Sequence, residues 1–526
     1  MNILKIILLN LLIFSFSYSS TFEELSSKLS DNSFKVKEDV LNELIINYKD
    51  EEKLEILLQN MLLGNLYFQN QSNEILFLQK DNSLKSLFTN STISNANMDD
   101  FSKVKINNKL RSVIKASLAK INLFASDENK RLKAAKNILE NLEEQDKEII
   151  LEALKSEKKS SIKDILLEAN TNLNAKFETG EEQLKAIEDL GDFLSSKSLE
   201  TLNSLKESND EKIKIAVSKA LKQIETSKTF YSFVETAFFG LSQGSVLLLA
   251  AIGLAITFGV MKVINMAHGE LIMIGAYTTY TIQQLMPNLI EYSIIIAIPA
   301  AFIVSGIVGI LIERLVIRHL YGRPLETLLA TFGISLILQQ VVRTIFSPLN
   351  QEVKTPSWMS GVLEINSALS LTYNRFYIVI FAFIVFFAIL YVMKKTSLGL
   401  KVRAVSQNRP IARAMGIQSS KIDAITFGIG SGIAGVAGVA LSQLTNVGPN
   451  LGQAYIVDSF MVVVFGGVGN LWGTLIASFT LGEINKFIEP LAGAVLAKVI
   501  ILIFIILFIQ KRPRGLFPQK GRDAQD

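Results

Sequence analysis

Asn265, His268 and Glu270 fall within six residues of one apolar stretch, Val263-Ile-Asn-Met-Ala-His-Gly-Glu-Leu-Ile-Met-Ile-Gly-Ala-Tyr-Thr-Thr-Tyr280. An amide, an imidazole and a carboxylate can donate, accept and exchange protons, but in hydrocarbon such groups are costly. An ionisable side chain at a helix centre costs about 2.5–3.5 kcal/mol on the insertion scale, so it faces a partner or a water-filled cavity. The three residues are therefore candidates for a translocation path. The plainer reading has His268 bonded to Glu270 or to a backbone carbonyl, holding a broken segment in shape. A second group stands in Phe465-Gly-Gly-Val-Gly-Asn-Leu-Trp-Gly473, which breaks an apolar run with four glycines. Irregular backbone at membrane depth is tolerated where it is buried in protein or lines a cavity. Gly466, Gly467 and Asn470 join the path candidates, with close helix packing as the alternative use of the glycines. Gln339 and Gln340 read as interhelical glue. Gly240-Leu-Ser-Gln-Gly244 formally matches a hydrolase nucleophile elbow, but it lies in an apolar helical run instead of a strand-turn-helix context.

The elements that position these groups divide near residue 228. Residues 1–19 read as a signal peptide, with Lys5, an apolar Ile6 to Phe16, and small residues at Ser17 and Ser19. Residues 20–227 are then exported. They are rich in Lys, Glu, Asp, Asn and Ser, with apolar residues at three- and four-residue steps, which predicts helices. Leu151, Leu154, Ile162 and Ala169 recur 51 residues later as Leu202, Leu205, Ile213 and Ala220, and, after one gap that makes the offset 52, Lys133-Ala-Ala recurs as Lys185-Ala-Ile. Such a period suggests an α-helical repeat of the HEAT kind, two helices per unit, serving as an interaction or spacer module.

Residues 228–518 carry eight apolar segments: 233–261, the polar and broken 264–284, 290–317, 325–346, 376–393, 424–444, the Gly-rich 456–482 and 491–509. Basic residues crowd the loop with Arg314, Arg318 and Arg323, the loop 394–421, and the tail with Lys511, Arg512 and Arg514, which places these on the cytoplasmic side. An exported start and a cytoplasmic end require an odd number of crossings, so 456–482 must enter and return. The expected fold is all-α: a polytopic membrane bundle with broken or re-entrant segments, behind an exported helical domain, with residues 519–526 as a cytoplasmic tail.

The chain has no cysteine and a formal net charge of +4. Disulfides, thiolate metal sites and thiol nucleophiles are excluded, and the basic excess fits positive-inside topology instead of nucleic-acid binding. No Gly-x-x-x-x-Gly-Lys-Ser/Thr phosphate loop occurs, so the chain has no ATP site of that type and no cofactor is expected. In the loop after residue 396, Pro410 can start a short helix, Ala412 to Met415 favour it and Gly416 can end it. That helix could dock on a cytoplasmic partner.

The segment from Ile256 to Glu270, with Gly275-Ala-Tyr277, the loop from Arg403-Ala404 to Gly416-Ile417, and Phe465-Gly-Gly-Val-Gly-Asn470 resemble the permease subunits of branched-chain amino acid and related amide ABC importers. The resemblance covers about residues 233–518. Within that family the exported extension, Leu254-Ala-Ile-Thr-Phe-Gly259 and Gly469-Asn-Leu-Trp-Gly473 look most like urea permeases. The resemblance implies a multi-pass inner-membrane subunit, no enzyme itself, working with a second homologous permease, two cytoplasmic ATPases and an exported substrate-binding protein, in contact with membrane lipid. It also implies that the loop around Gly416 is the ATPase-coupling segment, with Arg409, Ala412, Met415 and Gly416 as candidate contacts. A stand-alone secondary transporter or channel is the other transport reading.

Overall fold

Reciprocal capping starts the first described helix of the computed structural model. Thr21 Oγ1 accepts from the Glu24 amide (3.3 Å) while the Glu24 carboxylate accepts from Thr21 N (3.1 Å), opening α1 (Phe22–Ser27). The structure describes residues 21–48, 52–79, 83–89, 91–93 and 100–518. The expected signal peptide and the tail at 519–526 lie outside the described residues. The chain divides into two compact units, Met1–Thr226 and Ser227–Asp526.

In the first unit α2 (Phe34–Asn47) and α3 (Glu52–Leu63) lead into five short strands: β1 (Leu66–Gln69), β2 (Ile75–Leu78), β3 (Leu84–Ser86), β4 (Thr92–Ile93) and β5 (Phe101–Lys103). They form one antiparallel sheet of order β4-β3-β2-β1-β5, with Leu66 opposite Phe77 and Phe68 opposite Ile75. This corrects the all-α expectation. Leu66-Tyr-Phe and Ile75-Leu-Phe carry aromatic residues that suit strands. The turn between them needs no Gly or Pro, because Asn73 takes the left-handed conformation (φ 55°). The scarcity of glycine and proline therefore did not signal uninterrupted helix. Leu25, Leu41, Leu57, Met61, Leu66 and Ile75 close one core under this sheet.

Helices α4 (Asn108–Asn122), α5 (Glu128–Glu140), α6 (Lys147–Ser156), α7 (Ser160–Phe177), α8 (Glu181–Leu190) and α9 (Ser196–Leu205) follow, then α10 (Glu211–Met261), inside which the boundary between the units falls. Buried Leu166, Ala169 and Leu173 are matched 51 residues on by buried Val217, Ala220 and Ile224. The order α5-α6-α7 thus recurs as α8-α9-α10. Each copy holds three helices where the HEAT expectation has two, because the ten-residue α6 and α9 are elements of their own.

The second unit continues with α11 (His268–Leu285), α12 (Ile290–Leu315), α13 (Pro324–Phe346), the hairpin β6 (Val362–Asn366) and β7 (Leu369–Thr372), α14 (Tyr373–Lys395), α15 (Ser397–Gln407), α16 (Arg409–Ala414), α17 (Ser419–Ser442), α18 (Leu451–Gly466), α19 (Leu471–Ala492) and α20 (Ala494–Lys511). The hairpin is a second departure from all-α. Six helices among the described residues, α10, α12, α13, α14, α17 and α20, are long and apolar enough to cross a membrane. Their apolar stretches sort into two layers. Those of α10 and α17 are 83% and 89% buried, while those of α12, α13, α14 and α20 range from 17% to 33%. A helix apolar on all sides and covered on all sides is a core element, so α10 and α17 form the interior. Glycine makes this possible: a Cβ on Gly275 of α11 would lie 1.9 Å from the Gly435 carbonyl of α17, and one on Gly253 of α10 would lie 2.2 Å from that of Gly430. The backbones touch where side chains would otherwise stand.

Candidate functional site

Helix α10 ends at Met261, and Lys262 (φ 52°) turns the chain out of helical geometry until α11 begins at His268. The break predicted in 264–284 is thus a six-residue linker followed by an uninterrupted 18-residue helix. Asn265 shapes the turn, its Oδ1 accepting from Ala267 N (3.0 Å), and Met266 N donates to Thr331 Oγ1 of α13 (3.1 Å). His268 Nε2 lies 2.9 Å from the Ala250 carbonyl. A carbonyl only accepts, so Nε2 carries the proton. Glu270 Oε1 accepts from Ser335 Oγ (2.8 Å) and Gln339 Nε2 (2.7 Å), both on α13.

All three side chains are buried, at 1%, 0% and 1% exposure for Asn265, His268 and Glu270. Each also keeps one polar atom without a protein hydrogen bond: Asn265 Nδ2, His268 Nδ1 and Glu270 Oε2. Buried polar atoms are nearly always paired, and here three within six residues lack a partner in the protein. His268 bonds a backbone carbonyl, and Gln339 does bridge helices, through Glu270.

Gly466, Gly467 and Asn470 come together in the joint between α18 and α19. The run 456–482 does break here, with Gly467 at φ 102° and Gly469 at φ 78°. Asn470 caps α19, Oδ1 accepting from Gly473 N (3.1 Å), and Nδ2 donates to Phe517 O (3.1 Å). Leu516 N and Phe517 N donate to the carbonyls of Phe465 (2.9 Å) and Gly466 (3.2 Å). The joint holds the segment after α20, and both polar ends of Asn470 are occupied by that task.

The coupling candidates stand on α16 and the turn that ends it. Asn408 caps it through Oδ1 to Ile411 N (3.0 Å), Pro410 sits in its first turn, and Gly416 turns the chain away at φ 82°. Arg409 is an anchor: its guanidinium forms two bonds to Asp423 of α17 (2.7 and 3.0 Å) and stacks 4.7 Å from the Tyr321 ring centre. Burial works against the Arg409 charge, but the Asp423 bond and charge outweigh it and hold its pKa above the ordinary value. Burial, with Asp423 and Glu313 nearby, pushes the Tyr321 phenol up. Ala412 is buried, whereas Ile411 and Met415 are exposed at 61% and 78%. The four candidates thus divide into anchors, Arg409 and Ala412, and an outward tip, Met415 and Gly416.

Asp423, Tyr321 and Ser335 went unread in the sequence, as did the pair Asp458–Lys498 (3.0 Å) between α18 and α20. The acids carried a usable signal, a lone charge in an apolar run. Ser335 carried none, since a single serine suits any helix.

Residues 236–509 match the family described as branched-chain amino acid transport system / permease component. The chain is similar to the high-affinity branched-chain amino acid transport permease BraD of Pseudomonas aeruginosa, at 29% identity over 54% of this chain and 96% of the relative. Its likeness to the corresponding permease LivH of Salmonella typhimurium is 30%, over 55% and 97%. The ribose import permease RbsC of Escherichia coli is 25% identical over 58% and 94%. No solved structure matches. The family match, with spanning helices around a glycine-packed core, makes this a multi-pass membrane transport subunit and not an enzyme: the chain belongs to the permease-component family of branched-chain amino acid transport systems.

Proposed function

We propose that the chain is one permease of an ABC importer carrying a branched-chain amino acid or a short amide, paired with a second permease, driven by two cytoplasmic ATPases and supplied by an exported binding protein. The observation that carries this is α16. A six-residue helix, pinned to the interior helix α17 by the Arg409–Asp423 fork, presents Ile411 outward, as its cap presents Met415. Such an element can pass a push from a partner directly to the bundle interior. Asn265, His268 and Glu270 would line the path when the bundle opens, their orphan atoms then meeting water or solute. Branched-chain amino acids are preferred because the named relatives BraD and LivH carry them. Urea is the narrower reading of the sequence and rests on its motif wordings and its extension alone.

Met415→Glu tests the docking better than any change at Gly416, whose positive φ would add backbone strain to any side chain. In the reconstituted importer this variant should cut ATP hydrolysis and uptake more than tenfold while the two permeases still co-purify. Undiminished uptake would refute the docking. Stimulation of ATP hydrolysis by urea but not by leucine, in the unaltered complex with its binding protein, would replace the substrate.

A further inference from the structure

A cavity of about 730 Å³ in the second unit lies at the end of the bundle that carries the basic loops. Its wall has two characters. Ile256 of α10, Leu390 of α14 and Trp472 of α19 make an apolar side, while Lys394, Arg403 and Arg514 supply its charged lining. No aspartate or glutamate is among its described lining residues. Arg403 spends one N–H on the Met393 carbonyl and keeps the rest of its fork for another acceptor. The Trp472 ring is held edge-on against Phe386, centroids 5.4 Å apart, and is 43% exposed. Tryptophan beside Lys and Arg at the ends of spanning helices marks the boundary between hydrocarbon and water.

An apolar wall with a purely cationic rim at that depth is complementary to one kind of molecule. We propose that this cavity binds an anionic phospholipid, its acyl chain against Leu390, Ile256 and Trp472 and its headgroup phosphate on Lys394 and Arg403. Basic pockets between helices at this level take such headgroups. The site lies between α15, which leads directly into the docking helix α16, and the α18–α19 joint that Asn470 closes. A lipid seated there would brace both.

The chain has two tryptophans, Trp358 and Trp472, so Trp358→Phe leaves a single reporter in the cavity. In the full-length purified chain, phosphatidylglycerol with brominated acyl chains should quench Trp472 at a lower mole fraction than brominated phosphatidylcholine does. Lys394→Gln and Arg403→Gln should each reduce that preference roughly fivefold, the worth of one cation near an anionic headgroup. Inorganic phosphate should not displace the lipid. The complementary variant Trp472→Phe, reporting from Trp358, should show no headgroup preference. Native mass spectrometry of the unaltered chain gives an independent reading: one retained phosphatidylglycerol, lost in the Lys394→Gln/Arg403→Gln variant. Equal quenching by the two lipids, displacement by phosphate alone, or disappearance of the quenching once the ATPases are assembled would each overturn the proposal. The last would mean that a protein surface fills the cavity in the working importer.

Discussion

The core of the first unit is filled by side chains, whereas the central seams of the second are made by leaving side chains out. Leu25, Leu41, Leu57 and Met61 are each about fully covered beneath the five-stranded sheet. In the second unit Gly253 meets Gly430, Gly275 meets Gly435, and Gly438 lies under the Ile272 carbonyl. The difference follows from what each region competes with. In water, covering a leucine releases about 1.5–3 kcal/mol, so large apolar groups are the useful currency of stability. In lipid a leucine gains little by leaving one hydrocarbon for another, and stability comes from close backbone approach and from interhelical hydrogen bonds such as Gln339 to Glu270. Leucine fills the core of the first unit, while in the second buried leucines such as Leu248, Leu249 and Leu271 share the interior with glycine seams.

Adding one methyl group should give the largest effect. Gly275→Ala places a Cβ 1.9 Å from the Gly435 carbonyl, a backbone atom that cannot rotate away. Overpacking costs about 1–3 kcal/mol even where side chains can give, so the second unit should fail to fold, seen as loss of detergent-stable monodisperse protein. Gly333→Ala, with nothing within 4 Å of its Cβ, should be neutral or stabilising by up to about 1 kcal/mol. Equal behaviour of the two would break the comparison. Removing methyl groups is the matching change in the first unit. Leu57→Ala, wholly buried among Leu25, Leu41 and Met61, should cost about 2–5 kcal/mol in the unfolding of that unit by hydrogen exchange, with no change in the membrane helices.

The sequence made the membrane elements legible and the water-exposed ones less so, for the same reason. Twenty apolar residues have one meaning in a bilayer, and the glycines at 466, 467 and 469 and the Pro410-to-Gly416 pattern name their own breaks and caps. Strands of two to four residues in the first unit carry no period long enough to count, and Asn73 hid the turn that would have exposed them. At the site, Asn265, His268 and Glu270 announced themselves by being expensive. What they bond to did not: Ala250 offers only its carbonyl, and Ser335 is an unremarkable helix residue. Partners reached through the backbone or through one hydroxyl leave no trace in composition.

The smallest effect expected separates the two copies of the three-helix repeat. In the first, Glu157 ends α6 and accepts from Arg131 Nε of α5 (2.8 Å) and from the amides of Lys158 and Lys159 (2.9 and 3.0 Å). The Arg131 bond is the main reason its carboxyl falls from the ordinary 4.5 to about 2. The corresponding positions of the second copy are Gln183 and Ser208, which do not ionise. A carboxylate favoured by folding contributes its stability fully above pH 4.5 and loses it as the pH falls through its folded value. Glu157→Gln should therefore weaken exchange protection of α5 and α6 at pH 7, and the gap from the unaltered chain should close between pH 4.5 and about 2. Protection of α8 and α9 should stay the same in both. A loss shared by both copies would show that the repeats unfold as one body, and that the difference between their joints is cosmetic.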